Sequence, residues 1–141
     1  MVKNMIRMGH LAAVLAMAEP PPIAIDGRWA TPKVFDDFPE AGGIVTFITT
    51  NGYMRGPGFA GMRKYLRERA SEGWIINVSP EGMRPPVGTR IFPGVQRPLS
   101  IGVFVRAPGT SNETPATIRY TELSGRRAEK YQALADLHLD G

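Results

Sequence analysis

The sequence has no cysteine and only two histidines, His10 and His138. The first absence excludes disulfides, cysteine-ligated zinc, iron–sulfur clusters and thiol nucleophiles, and it sits most easily with a cytoplasmic protein. The second leaves little material for a multi-histidine metal site, and no Ser-His-Asp or Cys-His arrangement is evident. No apolar run approaches the length of a membrane span. Neither sign of charge dominates: 17 Lys and Arg face 13 Asp and Glu, a net charge of +4 that permits nucleic-acid binding without demanding it. With 43% apolar residues in 141, the chain has enough to bury the core of one folded domain.

The first 33 residues read differently from the rest. Lys3 and Arg7 precede the apolar run LAAVLAMA (11–18), and Ala16-Met17-Ala18 has the small-x-small form of a signal-peptidase site. The run is short, however, and no cysteines follow to profit from export, so the blander expectation is an amphipathic helix or a start with little structure. Pro20, Pro21 and Pro22 then remove amide donors and force extended backbone. Residues 1–33 are therefore expected to be a poorly ordered N-terminal helix and Pro-rich linker, and residues 34–141 a partial α/β domain.

Within that domain, residues 44–50 are apolar or β-branched at every position, the composition of a strand covered on both faces. Over 59–70 the spacing predicts a helix, with Phe59, Met62, Leu66 and Ala70 on one face and Arg63, Lys64, Arg67, Glu68 and Arg69 largely off it. Trp74 to Val78 reads as a second strand, so 44–78 is expected to form a parallel βαβ unit. A long loop, 79–98, carries five prolines and Arg84, Arg90 and Arg97. Loops of this length inside a compact domain are usually functional or disordered. Residues 99–106 make a third strand, with Gly102 marking a close approach of backbone. Residues 117–123 alternate as a strand with one wet face, and 126–139 form a terminal helix with a stripe of Ala128, Tyr131, Leu134 and Leu137 or His138.

Three features invite chemistry. Gly56, Gly58 and Gly61 spell G-x-G-x-x-G between a strand and a helix, but five residues separate the strand from the first glycine and Pro57 stiffens the turn; a Gly-rich helix start is the plainer reading. Thr50, Asn51 and Tyr53 stand at the carboxyl edge of the first strand, where open α/β sheets place ligands, although Asn-Gly makes a turn without any function. Phe92, held by Pro93 and flanked by arginines, suits base stacking beside phosphate contact, or it anchors its loop in the core. The carboxylates Asp26, Asp36, Asp37 and Glu40 are most simply a solvated turn or a helix start.

The order G-I-V-T-F-I-T-T-N-G-Y-M, G-P-G-F-A-G-M-R-K-Y-L-R, I-I-N-V and R-I-F-P-G-V-Q-R-P-L-S-I-G-V-F-V-R resembles the carboxyl half of the catalytic domain of DNA adenine-N6 methyltransferases, closest to those fused into single-chain restriction–modification enzymes. The likeness covers about residues 36–134 and includes T-I-R-Y-T-E-L-S-G-R-R-A-E-K-Y, which is similar to the family's "tryptophan-Gly-x-Arg-x-x-Lys" segment with Ser124 in the aromatic position. It implies the second half of a class I S-adenosylmethionine-dependent (Rossmann-like) sheet, mixed, with an antiparallel last strand. It also implies that Phe92 stacks on a flipped adenine, that Thr50, Asn51 and Tyr53 line the target pocket, and that Arg84, Arg90 and Arg97 meet phosphates.

The sequence departs from the family in two places: no Gly-rich loop follows a first strand, and no Asn-Pro-Pro-aromatic or Asp-Pro-Pro-aromatic tetrapeptide occurs. No catalytic or metal-binding residue is therefore assigned. The expectation is a fragment or subunit of such an enzyme, inactive alone and binding S-adenosylmethionine only with a partner chain that carries the donor half. Its partners would be DNA, that chain, or a second copy of itself through an exposed sheet edge, with no membrane. The alternative is a non-catalytic module that binds nucleic acid or protein through the basic loop and helix.

Overall fold

A computed structural model of the chain describes Phe35, Asp36, Glu40 and residues 42–138. The expected helix and linker of residues 1–33 lie outside the described residues. The elements in order are β1 (Gly43–Thr50), a one-turn helix α1 (Gly52–Arg55), a 3-10 turn (Pro57–Phe59), α2 (Ala60–Arg69), β2 (Glu72–Asn77), a second 3-10 turn (Val87–Thr89), β3 (Leu99–Arg106), β4 (Thr117–Glu122) and α3 (Arg127–Ala135). The four strands make one mixed sheet in the order β1-β3-β2-β4.

The βαβ unit expected over 44–78 is present as two strands of the same direction joined by α2, though they are not neighbours in the sheet. β1 and β2 do run the same way, but β3 lies between them and pairs antiparallel with both, while β4 runs parallel beside β2. The antiparallel strand is thus interior, and the last strand of the chain is parallel to its neighbour. Apolar, β-branched composition marks a strand without saying which strand lies beside it. β1 is accordingly an edge strand among the described residues, with Thr46 and Ile48 exposed on one face rather than covered on both.

Alternation sends the two faces of the sheet to two cores. One, beneath α2, gathers Phe35, Val45, Tyr53, Met62, Leu66, Ala70, Phe104 and Ala116. Met62, Leu66 and Ala70 are three of the four positions of the expected helical stripe, and Phe59 packs at its margin. The other core joins Ile76, Val78, Ile91 and Leu123 to Ala133, Leu134 and Leu137 of the α3 segment. Here the stripe is corrected: Ala128 and Tyr131 are exposed, and the buried face runs through Lys130 instead. The reason is that the Lys130 ammonium finds acceptors inside, donating to Val78 O at 2.8 Å and to Glu81 at 2.8 and 3.0 Å.

The far end of the sheet is tied by Arg106. Its guanidinium donates to Arg69 O at the carboxyl end of α2, to Asn112 Oδ1 at 3.0 Å and to Thr110 O at 3.0 Å, which satisfies a helix-terminal carbonyl with a cation. Asp36 adds a second tie, accepting from Tyr65 OH at 2.8 Å and pairing with Arg69 at 3.6 Å. Burial and that carboxylate together push the Tyr65 phenol up from its ordinary value.

Gly102 does permit a close approach, though of side chains. The rings of Phe47 and Phe104 stack 5.7 Å apart, and a Cβ on Gly102 would sit 2.9 Å from both. We therefore expect Gly102→Ala to lower stability by about 1–3 kcal/mol through overpacking. Gly94→Ala, where a Cβ would meet nothing within 4 Å, should change it by less than about 0.5 kcal/mol. Urea unfolding of the two variants checks the contrast.

Candidate functional site

Because β1, β2 and β4 run the same way, their carboxyl ends reach one edge of the sheet, where open α/β sheets bind ligands. Pro98, leading into β3, joins them there, since Asn51 N donates to Pro98 O at 2.9 Å. Asn77, at the end of β2, is the junction of this edge. Its Oδ1 accepts from Asn51 Nδ2 at 2.9 Å and from Ser79 N at 3.0 Å. Its Nδ2 donates to Tyr120 OH at 3.0 Å and to Glu122 Oε1 at 3.3 Å, and Tyr120 OH donates to the same carboxylate oxygen at 2.5 Å. Tyr120 and Glu122 share a face because they are two residues apart on β4. Partial desolvation and the Glu122 carboxylate hold the Tyr120 phenol above its ordinary range, so it stays a donor.

This network floors a cavity of about 780 Å³ that runs from the carboxyl edge under α2. Met54, Leu66, Ile75, Phe104 and Ile118 give it apolar walls, and Arg55 and Arg67 are exposed on its rim. Arg63 also lines it but spends its guanidinium on Tyr53 O at 2.9 Å and Gly56 O at 2.7 Å. One acceptor, Asn51 Oδ1, is buried here without a partner. Apolar walls with a few convergent polar groups are the usual make-up of a small-molecule site.

The basic loop forms the lip of the cavity through Ser79, Pro80, Gly82, Met83 and Pro98. Farther out, Arg84 is held with positive φ by its N–H bond to Gln96 O at 3.0 Å. Arg84 and Arg97 are exposed, with no side-chain partner among the described residues. Arg90 is spent inside the loop, donating to Pro85 O at 2.6 Å and Pro93 O at 3.0 Å.

Of the residues singled out from sequence, Asn51 and Tyr53 line the cavity, whereas Thr50 and Phe92 do not. Tyr53 is 2% exposed: its ring meets Phe47 edge-on and burial raises its phenol, whose hydroxyl lies beside Ser100 without closing a hydrogen bond of ordinary geometry. Phe92 projects from the loop at 44% exposed, and its neighbour Ile91 anchors the loop in the core. Asn77, Tyr120, Glu122, Arg55 and Arg67 were not singled out. The alternation of Tyr120 and Glu122 on a strand with one wet face was a usable signal, but Asn77 is a lone polar residue closing an apolar run. Two letters of the Gly-x-Arg-x-x-Lys segment also acquire partners: Arg127 donates to Arg90 O at 2.7 Å and Val87 O at 3.2 Å, and Lys130 is the buried residue described above.

The Gly-rich helix start is not a cradle for S-adenosylmethionine. The Gly-rich helix start would have to offer free amides, yet Gly56 N donates to Gly52 O and Phe59 N to Gly56 O. A Cβ at Gly56 would lie 2.7 Å from Gly52 O, so the glycine serves local packing. Among the described residues there is no group of three or more His, Asp or Glu able to hold a metal, and no helix long and apolar enough to cross a membrane.

No family model and no curated protein matches the chain. Solved structures share its fold. One is the ATP-dependent Type ISP restriction-modification enzyme LlaBIII bound to DNA, at TM-score 0.55 and 21% identity over 67% of this chain and 7% of that one. A second is the DrdV-DNA complex, at TM-score 0.54 and 19% identity over 70% of this chain and 10% of the other. A third is a nuclease-deletion mutant of the Type ISP restriction-modification enzyme LlaGI in complex with a DNA substrate mimic, at 0.51 and 21% over 67% and 9%. The chain thus spans a tenth or less of each of these proteins.

Asn77→Ala removes the acceptor of the Asn51 amide and one donor each to Tyr120 and Glu122 at the cavity floor, and we expect it to cost about 1–3 kcal/mol of stability. Tyr120→Phe, at a half-exposed phenol, should cost less than about 1 kcal/mol. The pair should be non-additive in a double-mutant cycle followed by thermal unfolding.

Proposed function

We propose that this chain is a fragment or subunit of a DNA adenine-N6 methyltransferase of a restriction–modification system, supplying the target-base pocket and DNA contacts and inactive alone. The observation that carries the reading is the cavity at the shared carboxyl edge of β1, β2 and β4, lipped by a basic loop that leaves outward Phe92 and two arginines without side-chain partners among the described residues. The folds it is similar to belong to restriction-modification and DNA complexes, which supports DNA as the partner.

In this reading Phe92, which stands outside the cavity, stacks on the extruded base, Asn51 contributes a polar group to the wall, and buried Tyr53 shapes it. Arg84 and Arg97 meet phosphates, while Arg90 holds the loop that presents them. Methyl transfer requires S-adenosylmethionine, which a partner chain with the Gly-rich and Asn-Pro-Pro-aromatic motifs would bind. That chain, or a second copy of this one, would join at the edge of β1 that is unpaired among the described residues. The cytoplasm is the compartment this chemistry needs. The bonded amides of the Gly-rich helix start, Gly56 N and Phe59 N, favour a second reading, a nucleic-acid-binding module with no catalysis of its own.

Two measurements separate these. Duplex DNA should bind with an affinity that falls steeply with salt, and Arg84→Gln and Arg97→Gln should each reduce the log–log slope by about 1. Phe92→Ala should weaken binding to a duplex containing an unpaired adenine by about 1–3 kcal/mol while leaving that slope alone. Co-expression with a chain carrying the two missing motifs should then yield N6-methyladenine. A folded two-chain complex that binds duplex and donor but never methylates would leave only the binding module, and a salt-insensitive chain would remove DNA as the partner.

A further inference from the structure

The loop at 79–98 is longer than most connections in a compact domain, its only regular structure is the turn Val87–Thr89, and five of its residues are prolines. Such a segment cannot bond its own carbonyls in a ladder, and those near the interior need donors from elsewhere. α3 supplies them. Lys130 reaches Val78 O and both oxygens of Glu81, Arg127 reaches Arg90 O and Val87 O, and Tyr131 OH donates to Ile91 O at 3.2 Å. The two carbonyls immediately before Phe92 are therefore both held by α3. With Ile91 locked into the core beside Ala133 and Leu134, Phe92 is left to face outward.

We propose that α3 is the frame that sets the DNA-contacting loop, with Arg127, Lys130 and Tyr131 as positioning residues for Phe92, Arg84 and Arg97; this rests on the DNA-binding reading above. Docking a helix on a sheet needs only apolar side chains. Here a lysine is wholly buried in that contact, although removing a charge from water is costly and apolar replacements of buried ion pairs often fold as well or better. What charge-assisted hydrogen bonds add is direction: each fixes a carbonyl in place. The start of α3 is built to aim these donors. Gly125 adopts φ +99°, and a Cβ there would fall 2.5 Å from the Glu129 carboxylate, which accepts from Arg126 N at 2.5 Å. Arg127 and Lys130, three residues apart, then share one face. Bonds within the loop, from Arg90 to Pro85 O and Pro93 O, keep its shape, so losing α3 frees the loop as a unit.

The test uses the full chain with Lys130→Met, Arg127→Met and Arg127→Lys, read by hydrogen–deuterium exchange, unfolding and duplex binding. Lys130→Met strands the Glu81 carboxylate and should lower the unfolding midpoint, whereas Lys130→Met combined with Glu81→Gln, which removes the charge along with its partner, should lose less. In both Met variants amide exchange over 81–92 should accelerate about tenfold or more while β3 stays protected. Duplex affinity should fall about fivefold or more with an unchanged salt slope, because no phosphate contact is removed. Arg127→Lys should restore part of both. Exchange over 81–92 that matches wild type, or that rises only in step with β3, overturns the proposal, as does faster exchange with unchanged affinity. Should the wild-type chain itself not bind duplex, the DNA reading fails separately, and the exchange data still decide whether α3 orders the loop.

Discussion

The interior position of β3 is the constraint from which the rest of this domain follows. It pairs on both sides, and its register with β1 places Gly102 opposite Phe47 while its register with β2 places Gly73 opposite Phe104. Those two glycines leave the room into which the Phe104 ring fits, so the core under α2 depends on β3 twice, through its ladders and through its missing side chain. Because β3 runs against both neighbours, β1 and β2 end at the same edge. Asn51 and Asn77 can then meet at 2.9 Å, and the cavity, the hydrogen-bonded floor and the basic lip all sit on that one edge.

Much of this was legible in local sequence. The apolar runs marked β1, β2 and β4 to within two residues and β3 at both its ends, and the Met62–Leu66–Ala70 spacing gave the buried face of α2, because period and burial agree there. Lateral order was not legible, since the pairing of β1 with β3 rather than β2 depends on which surfaces meet across fifty residues of chain. The α3 stripe was misread for a physical reason: hydrophobic periodicity ranks Tyr131 above Lys130, but Val78 O and Glu81 make the interior more favourable to the ammonium than to the ring. At the site, Asn51 and Tyr53 could be found from their place after a strand. Asn77 could not, because its importance lies in four partners drawn from three segments.

The edge divides its labour. Asn51, Asn77 and Tyr120 with the Glu122 carboxylate floor the cavity, while on the loop Arg84 and Arg97 have no side-chain partner among the described residues and Arg90 has two. In the proposed reading such a surface would grip a phosphate backbone without sequence preference while Phe92, the one aromatic of the loop, meets a base. That arrangement, rather than any one motif, is what the proposed contact with DNA rests on.

The most direct test of this account is amide exchange of the chain with and without duplex DNA at low salt, resolved along the sequence. Protection concentrated over 79–98 and at the rim formed by Arg55 and Arg67 is the predicted result. Protection confined to the outer edge of β1, or none anywhere at saturating duplex, would contradict it.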